Sequence, residues 1–336
     1  MDKFNKATSL IQEYYQNKIV INLSPAYGYR SRCEFGYRND LYTMYSSSGE
    51  IIYLNTFPIT RPSIQNLMPK LLEHINKSKV LKHKLFQINF RTNRKNQILV
   101  SMIYHKPLDD VLKSLADETA NILNISINLR SKNNLYSTNS DLLNDNLGYL
   151  DTILYQTDQS FYQPNHFHMP KMIDKAISFV KDPIDLLELY CGSGTFSLPM
   201  RKHFNKILAT ENNRQSIRCI KKTIKEQNIN NLFHARLSAE EVYELFEGRV
   251  FKRMKGIKIS DFNFSHVLVD PPRAGLDLDV LKLINKFKNI IYISCNYETY
   301  IRDLKNLTAY EIKNIEIYDQ FPNTEHLEIV SLLSKR

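Results

Sequence analysis

From about residue 165 onward the chain alternates short apolar runs with amphipathic stretches, and no other feature restricts its fold as much. The runs at 185–190, 207–211, 232–235, 266–270 and 290–294 are too short for buried helices and read as strands. Helical patterns lie between them: one ending at Val180, one opening at Phe196, then 214–228, one opening at Ser238, and 277–287. Further strands are expected at 311–318 and 328–333. Ser238 followed by Glu241 is a capping box, in which two side chains satisfy backbone N–H groups that a helix start leaves unpaired. Strand, helix and strand in repetition predict an α/β domain with a mostly parallel, doubly wound sheet. Such sheets bind ligands beyond the carboxyl ends of their strands, so the residues just after each apolar run become the functional candidates.

Residues 1–150 lack that regularity. They predict a smaller α+β domain: a hairpin (33–37 and 41–45) turning at Arg38-Asn-Asp40, a helix over 63–75 capped by Ser63, and a strand pair at 85–90 and 97–104. The polar, Asn-rich stretch 131–146 is expected to hold an exposed connection, giving domains at 1–150 and 151–336. Of the net charge of +10, +7 falls in the first 150 residues, where 19 Lys and Arg face 12 Asp and Glu. A basic, Tyr-rich domain suits a polyanion with unstacked bases, which is RNA. Cys33, Cys191, Cys219 and Cys295 are far apart, with no histidine at metal spacing, so no zinc or iron–sulfur site is expected. The close pair His166 and His168 has no further ligand cluster to join. No apolar run approaches the ~18 residues of a membrane span, and the first residues lack the apolar core of a leader. A cytoplasmic protein without a membrane partner is the expectation.

Three loops carry candidate chemistry. In Asp185-Leu-Leu-Glu-Leu-Tyr-Cys-Gly-Ser-Gly-Thr-Phe196, Gly192 and Gly194 free the turn from side-chain bulk so that backbone can approach a ligand. Glu211, nineteen residues past Gly192, can accept hydrogen bonds from both ribose hydroxyls of an adenosyl group. Ser197 stands where a dinucleotide fingerprint has its third glycine, which favours S-adenosylmethionine over NAD. The second loop is Asp270-Pro-Pro-Arg273, whose prolines stiffen the backbone beside Asp270. An amino-group methyltransferase usually has an aromatic residue after the prolines; here Arg273-Ala-Gly275 follows, and one strand later comes the third loop, with Cys295.

That combination points to methylation of a ring carbon. Pyrimidine C5 is a poor nucleophile until a thiolate adds to C6, and the methylated adduct then needs a base to take the C5 proton before the thiol leaves. Cys295 is the candidate nucleophile. Glu328, ahead of the last apolar run, is the candidate base, with His326 as its rival. Cys191 and Cys219 read as packing residues.

The sequence resembles the RNA (uracil-5-)-methyltransferase family, and within it the bacterial tRNA-modifying branch. The likeness runs from about Tyr29 to the C-terminus. It rests on Tyr29-Arg-Ser-Arg-Cys-Glu-Phe35, Lys84-Leu-Phe-Gln-Ile88, Ser160-Phe-Tyr-Gln-Pro-Asn165, Glu188-Leu-Tyr-Cys-Gly192, Ala209-Thr-Glu211, Val269-Asp-Pro-Pro-Arg-Ala-Gly-Leu-Asp277, Ile293-Ser-Cys-Asn296 and Asp319-Gln-Phe-Pro322. The resemblance implies a class I, Rossmann-like methyltransferase domain with Gln163, Tyr190, Gly192, Thr195, Glu211 and Asp270 around S-adenosylmethionine. It also implies Cys295 as nucleophile, Glu328 as proton acceptor, no metal, and a monomer. The implied substrate is the T-loop uridine (position 54) of tRNA, with transfer-messenger RNA (tmRNA) as a second one because it shares a T arm.

Three positions depart from the family's pattern: Thr195 where Asn is usual, Tyr297 where proline usually follows Asn296, and Gly36 where a basic residue is expected. The last leaves Arg30, Arg32 and Arg38 as candidates to grip RNA. Ribosomal RNA members typically add an oligonucleotide-binding barrel or an iron–sulfur cysteine cluster, and cytosine-5 enzymes a Pro-Cys motif; the chain shows none of these. A ribosomal RNA uracil-5-methyltransferase and an RNA-binding tRNA folding factor with dispensable methylation are the alternative readings.

Overall fold

A computed structural model describes residues 2–336. It divides into two compact units: the larger holds the chain up to Pro25, Leu147–Leu154 and Ser160–Arg336, the smaller Ala26–Asn146 and Tyr155–Gln159. In place of one division at residue 150, the chain passes between units at 146/147, 154/155 and 159/160, and the first 25 residues group with the larger unit. The reason is apolar packing. The helix Asp2–Ile11 buries Ala7 and Ile11 in the same cluster as Leu187, Val267 and Tyr292.

The larger unit is built on an eight-stranded sheet. In chain order its strands are β1 (Val20–Asn22), β2 (Asp185–Leu189), β3 (Lys206–Thr210), β4 (Leu232–Ala235), β5 (Phe264–Val269), β6 (Asn289–Ser294), β7 (Tyr310–Tyr318) and β8 (Glu328–Lys335). They lie in the order β1-β7-β8-β6-β5-β2-β3-β4. All neighbours pair in parallel except β8, which is antiparallel to both β6 and β7. β2 is buried at every residue, as a central parallel strand covered on both faces must be. Strand order reverses at β2, between β3 and β5, which opens a crevice at their carboxyl ends.

The helices follow their predicted starts in most cases. Ser238 and Glu241 form both bonds of the capping box, Asp277 caps Leu278–Ile284, and Asn213 caps Arg214–Glu226 through the N–H groups of Gln215 and Ser216. The helix expected from Phe196 is a single turn, Ser197–Met200, buried on all sides. Arg201 then ties the chain to Thr152 Oγ1 and Leu198 O, each at 2.7 Å.

The smaller unit has a seven-stranded sheet in the order Ile51–Leu54, Leu41–Tyr45, Arg32–Arg38, Leu85–Thr92, Ile98–Tyr104, Ser126–Ser131, Asn134–Ser137. The helices Pro62–Lys77 and Asp110–Leu123 cover one face through Ile64, Met68, Leu71 and Leu112 against Phe35, Ile88, Phe90 and Met102. Asn39 and Asp40, at φ 53° and 61°, make the doubly left-handed turn that matches strand twist in a two-residue hairpin. Ser63 is not a cap. Pro62, suited to the first helical position, starts the helix one residue earlier, and the Ser63 hydroxyl meets that of Thr92 at 3.1 Å. The stretch 131–146 is more ordered than a connection: Asn134–Ser137 pairs with Ser126–Ser131, and Leu143–Leu147 is a strand whose alternate residues are buried. Its period is hard to read because one inward residue is Asp145, which accepts the Arg94 N–H at 2.9 Å. On the sheet's other face, buried Arg91 donates to Gln156 Oε1 (3.1 Å) and Asp158 O (2.9 Å), and Arg130 pairs with Asp158.

Candidate active site

Beyond the strand ends the larger unit contains a cavity of about 440 Å³. Tyr190 reaches it from the end of β2, Glu211 from β3, Asp270-Pro-Pro-Arg273 from β5 and Cys295 from β6. Phe161, Gln163, Pro164, Gln320, Phe321, His326 and Glu328 complete the wall. Six residues predicted from distant parts of the sequence, Gln163, Tyr190, Glu211, Asp270, Cys295 and Glu328, therefore line one cavity. Tyr190 sits at φ 58°, a costly placement for an aromatic residue and one that occurs preferentially at functional sites.

Gly192 and Thr195 do not line it. Gly192, at φ 54°, shapes the wall from behind: its N–H donates to Glu211 Oε2 at 3.0 Å, and a Cβ there would lie 3.3 Å from the Phe161 ring. Thr195 is buried, its hydroxyl without a partner among the described residues. The chain has turned inward at Gly194, where a Cβ would strike Leu198 at 2.7 Å, so the next side chain packs inside the unit.

Glu211 is fixed by two backbone donors, Gly192 N–H and Asn213 N–H (2.7 Å), and each oxygen keeps a lone pair for a hydroxyl group. A chain of amides orients Asp270: Asn165 Nδ2 donates to Gln320 O (3.1 Å), Gln320 Nε2 to Gln163 Oε1 (2.6 Å), and Gln163 Nε2 to Asp270 Oδ2 (3.3 Å). Burial pushes the Asp270 carboxyl up, the Gln163 bond opposes this, and the charge of Glu211 adds to it. Glu328, 3% exposed, is raised well above the usual range by burial and then by Asp270. The Cys295 thiol is pushed up to about 12 by burial first, then by Glu328 and Asp270, with Arg273 opposing. Acids crowded into a low-dielectric space cannot all ionise. A cation in the cavity would relieve all three. Buried carboxyls, aromatic walls and hydroxyl acceptors together suit a positively charged ligand of nucleoside type, so the residues fit S-adenosylmethionine.

His326 lines the cavity, but its Nε2 lies 3.1 Å from Arg273 Nη2. Guanidinium can only donate, so this nitrogen's lone pair is engaged. Burial, then Arg273 and Lys3, lower the imidazole's affinity for a proton. Sequence reasoning missed Lys3. Its Nζ reaches Asp319 Oδ1 (2.6 Å), Phe321 O (3.1 Å) and His326 O (3.0 Å), pinning the loop that carries Gln320, Phe321 and His326. No sequence signal marks one lysine among many whose partners lie over 300 residues away.

The departures also have local explanations. Tyr297 opens the helix Tyr297–Leu304, the first position that proline would favour, and it packs against the core while Asn296 accepts the Glu298 N–H at 2.9 Å. Gly36 faces Thr43 across the hairpin, and a Cβ would meet that hydroxyl at 2.5 Å. Arg32 pairs with Glu34, Arg30 Nε donates to Arg32 O (2.7 Å), and Arg38 is exposed. Cys33, Cys191 and Cys219 are buried and Cys295 half-buried, all as free thiols. His168 is buried, and among the described residues no group of three or more His, Cys, Asp or Glu could hold a metal. Among them, too, no helix is long and apolar enough to cross a membrane.

Comparison with known proteins fits this geometry. A family model described as tRNA (uracil-5-)-methyltransferase matches residues 1–336. The tRNA/tmRNA (uracil-C(5))-methyltransferase of Saccharophagus degradans is 38% identical over 100% of this chain and 96% of its own length. The protein of the same name from Campylobacter lari is 40% identical over 96% of this chain and 95% of its own. A crystal structure of Pyrococcus abyssi tRNA (uracil-54, C5)-methyltransferase in complex with S-adenosyl-L-homocysteine shares the fold, with a TM-score of 0.78 at 21% identity over 98% of this chain and 82% of that one. The chain belongs to the tRNA (uracil-5-)-methyltransferase family.

Proposed function

We propose that this chain transfers a methyl group from S-adenosylmethionine to C5 of the T-loop uridine (position 54) of tRNA, forming 5-methyluridine, and acts on tmRNA through the same arm. The observation that carries the reading is the convergence of Cys295 and Glu328 with Glu211, Asp270 and Gln163 on one cavity. S-adenosylmethionine, when bound, supplies an electrophilic methyl on a positively charged sulfur.

The protein's residues do the rest. Glu211 would accept hydrogen bonds from the ribose hydroxyls, and Asp270, aimed by Gln163, would hold a polar group of the same ligand. Bringing a cation beside Asp270 and Glu328 lowers the cost of a thiolate at Cys295, which Arg273 further reduces. Cys295 Sγ adds to uracil C6 and makes C5 nucleophilic. After methylation, Glu328 takes the C5 proton, the C5–C6 double bond re-forms, and the Cys295 thiolate leaves. Burial makes Glu328 a stronger base than an exposed carboxylate, while His326 is already engaged by Arg273. The target nucleotide must turn out of its loop, at a cost of a few kcal/mol that phosphate contacts offset. The smaller, basic unit, with Arg30, Arg32 and Arg38, supplies such contacts in this reading, and the protein works as a cytoplasmic monomer.

Incubation with methyl-labelled S-adenosylmethionine and an elongator tRNA transcript, followed by nucleoside digestion, tests the reaction. Label should co-migrate with 5-methyluridine and vanish when uridine 54 is replaced by cytidine. Label in another nucleoside, or retained after that replacement, overturns the assignment.

A further inference from the structure

The larger unit has a second concavity, of about 570 Å³, at the far edge of its sheet. One wall is the helix Arg214–Glu226, where Arg214, Arg218 and Lys221 recur at helical spacing on one face. Arg236, just past β4, together with Arg253 and Lys255, forms the other side. Six cations thus share one hollow. Among the described residues no carboxylate lines it, and Glu241 is already paired with Arg253. Arg214, Lys221, Arg236 and Lys255 are exposed and form no salt bridge among the described residues.

Surface lysines are usually just solvated, but two observations set this group apart. Residues 151–336 are close to balanced, with 26 Lys and Arg against 23 Asp and Glu, so six cations in one hollow reflect sorting of charge. The same helix shows the ordinary arrangement on its neighbouring face, where Lys222 pairs with Glu226. Burial, and after it the charges of Lys221 and Lys255, lower the pKa of half-buried His234 to about 4. Like charges gathered in a concave surface at some electrostatic cost fit a polyanion of complementary charge.

The position suggests which phosphates. Cys295 follows β6 and the hollow lies at β4, four strand spacings away, or about 19 Å at ~4.8 Å each. That distance spans several base pairs of an A-form RNA helix, so one folded RNA can reach both hollows.

We propose that this hollow is a second RNA-binding site, which holds backbone phosphates of the tRNA body outside the T arm while the target uridine occupies the catalytic cavity. It rests on the tRNA reading above and extends it from the reacting nucleotide to the body of the substrate. Arg214, Lys221, Arg236 and Lys255 can meet several phosphates at once, and each neutralised phosphate releases condensed counterions.

The test uses the full chain with Lys221→Gln, Arg236→Gln and Lys255→Gln combined, all exposed positions outside the catalytic cavity. Filter binding over a range of salt compares an intact tRNA transcript with the isolated T-arm hairpin, alongside methyl transfer to both. The variant should bind intact tRNA at least tenfold more weakly than wild type at low salt, with a log–log salt slope smaller by about 2 to 3. Binding of the hairpin, and transfer to it, should stay within twofold. An unchanged Kd for intact tRNA, or equal weakening for both RNAs, overturns the proposal. Lys222→Gln, on the neighbouring face, should alter neither; an equal loss there would reduce the effect to bulk charge and overturn it too. If wild-type protein labels neither RNA, the methyltransferase reading fails, while the binding comparison still decides the fate of the hollow.

Discussion

The two hollows of the larger unit are made by one sheet and are lined by opposite kinds of group, buried acids in one and exposed cations in the other. At the strand ends around β2, Asp270, Glu328 and Cys295 are withdrawn from water, and each holds its proton more tightly than usual. At the β4 edge, Arg214, Lys221, Arg236 and Lys255 stay hydrated. Burial makes the first hollow sensitive to protonation and to the charge of what enters it. Exposure makes the second sensitive to salt, which screens such charges beyond ~8 Å at physiological ionic strength. Covalent chemistry at a weak carbon needs the first environment, and holding a long polyanion needs the second.

Changes in the cavity should have the largest effects. Cys295→Ala should reduce methyl transfer to background while leaving tRNA affinity, measured by filter binding, within about threefold. Glu328→Gln should slow turnover by ~10²- to 10⁴-fold, the range for a lost general base, and allow the covalent adduct to accumulate. Retention of normal turnover would return the base to His326 or to solvent.

Lys3→Ala comes next. It removes one partner of a buried ion pair whose side chains are 8% and 11% exposed, leaving the Asp319 carboxylate uncompensated. A loss of about 3 kcal/mol in denaturant unfolding is expected, with weaker catalysis as the loop bearing Gln320 and His326 loosens. A smaller effect concerns pH. Glu188 is fully buried in β2, and burial pushes its carboxyl up to about 8, with the Ser197 hydroxyl opposing. A folded pKa raised above the unfolded value means stability that is present below about 4.5 and lost as pH rises through about 8. Thermal melts of Glu188→Gln without ligand should therefore show a smaller fall between pH 5 and pH 8 than the wild type. A fall of equal size would place the pH dependence elsewhere.

That Gln163, Tyr190, Glu211, Asp270, Cys295 and Glu328 share a cavity was legible because most of them sit at the ends of strongly periodic strands, within short motifs whose chemistry constrains their type. Asp270 and Cys295 need only a strand to place them. Lys3 was not legible, since its carboxylate and two carbonyl partners are 316 to 323 residues away and only the finished fold brings them together. That Thr195 is buried away from the cavity wall was not legible, because motif spacing fixes the backbone of a turn but not which side chains face inward. The strand Leu143–Leu147 was hidden by polar residues on both faces. The cationic hollow was half written in the sequence: Arg214, Arg218 and Lys221 show their shared face, but Arg236, Arg253 and Lys255 join them only through the packing around β4.

The most direct test of the central claim is a denaturing gel of the protein incubated with S-adenosylmethionine and tRNA containing 5-fluorouridine. Fluorine at C5 cannot leave as a proton, so elimination stops at the methylated adduct. The wild-type protein should give a denaturation-resistant protein–RNA band that is absent from Cys295→Ala. Methylation of ordinary tRNA with no such band, or a band that survives Cys295→Ala, would contradict covalent catalysis through Cys295.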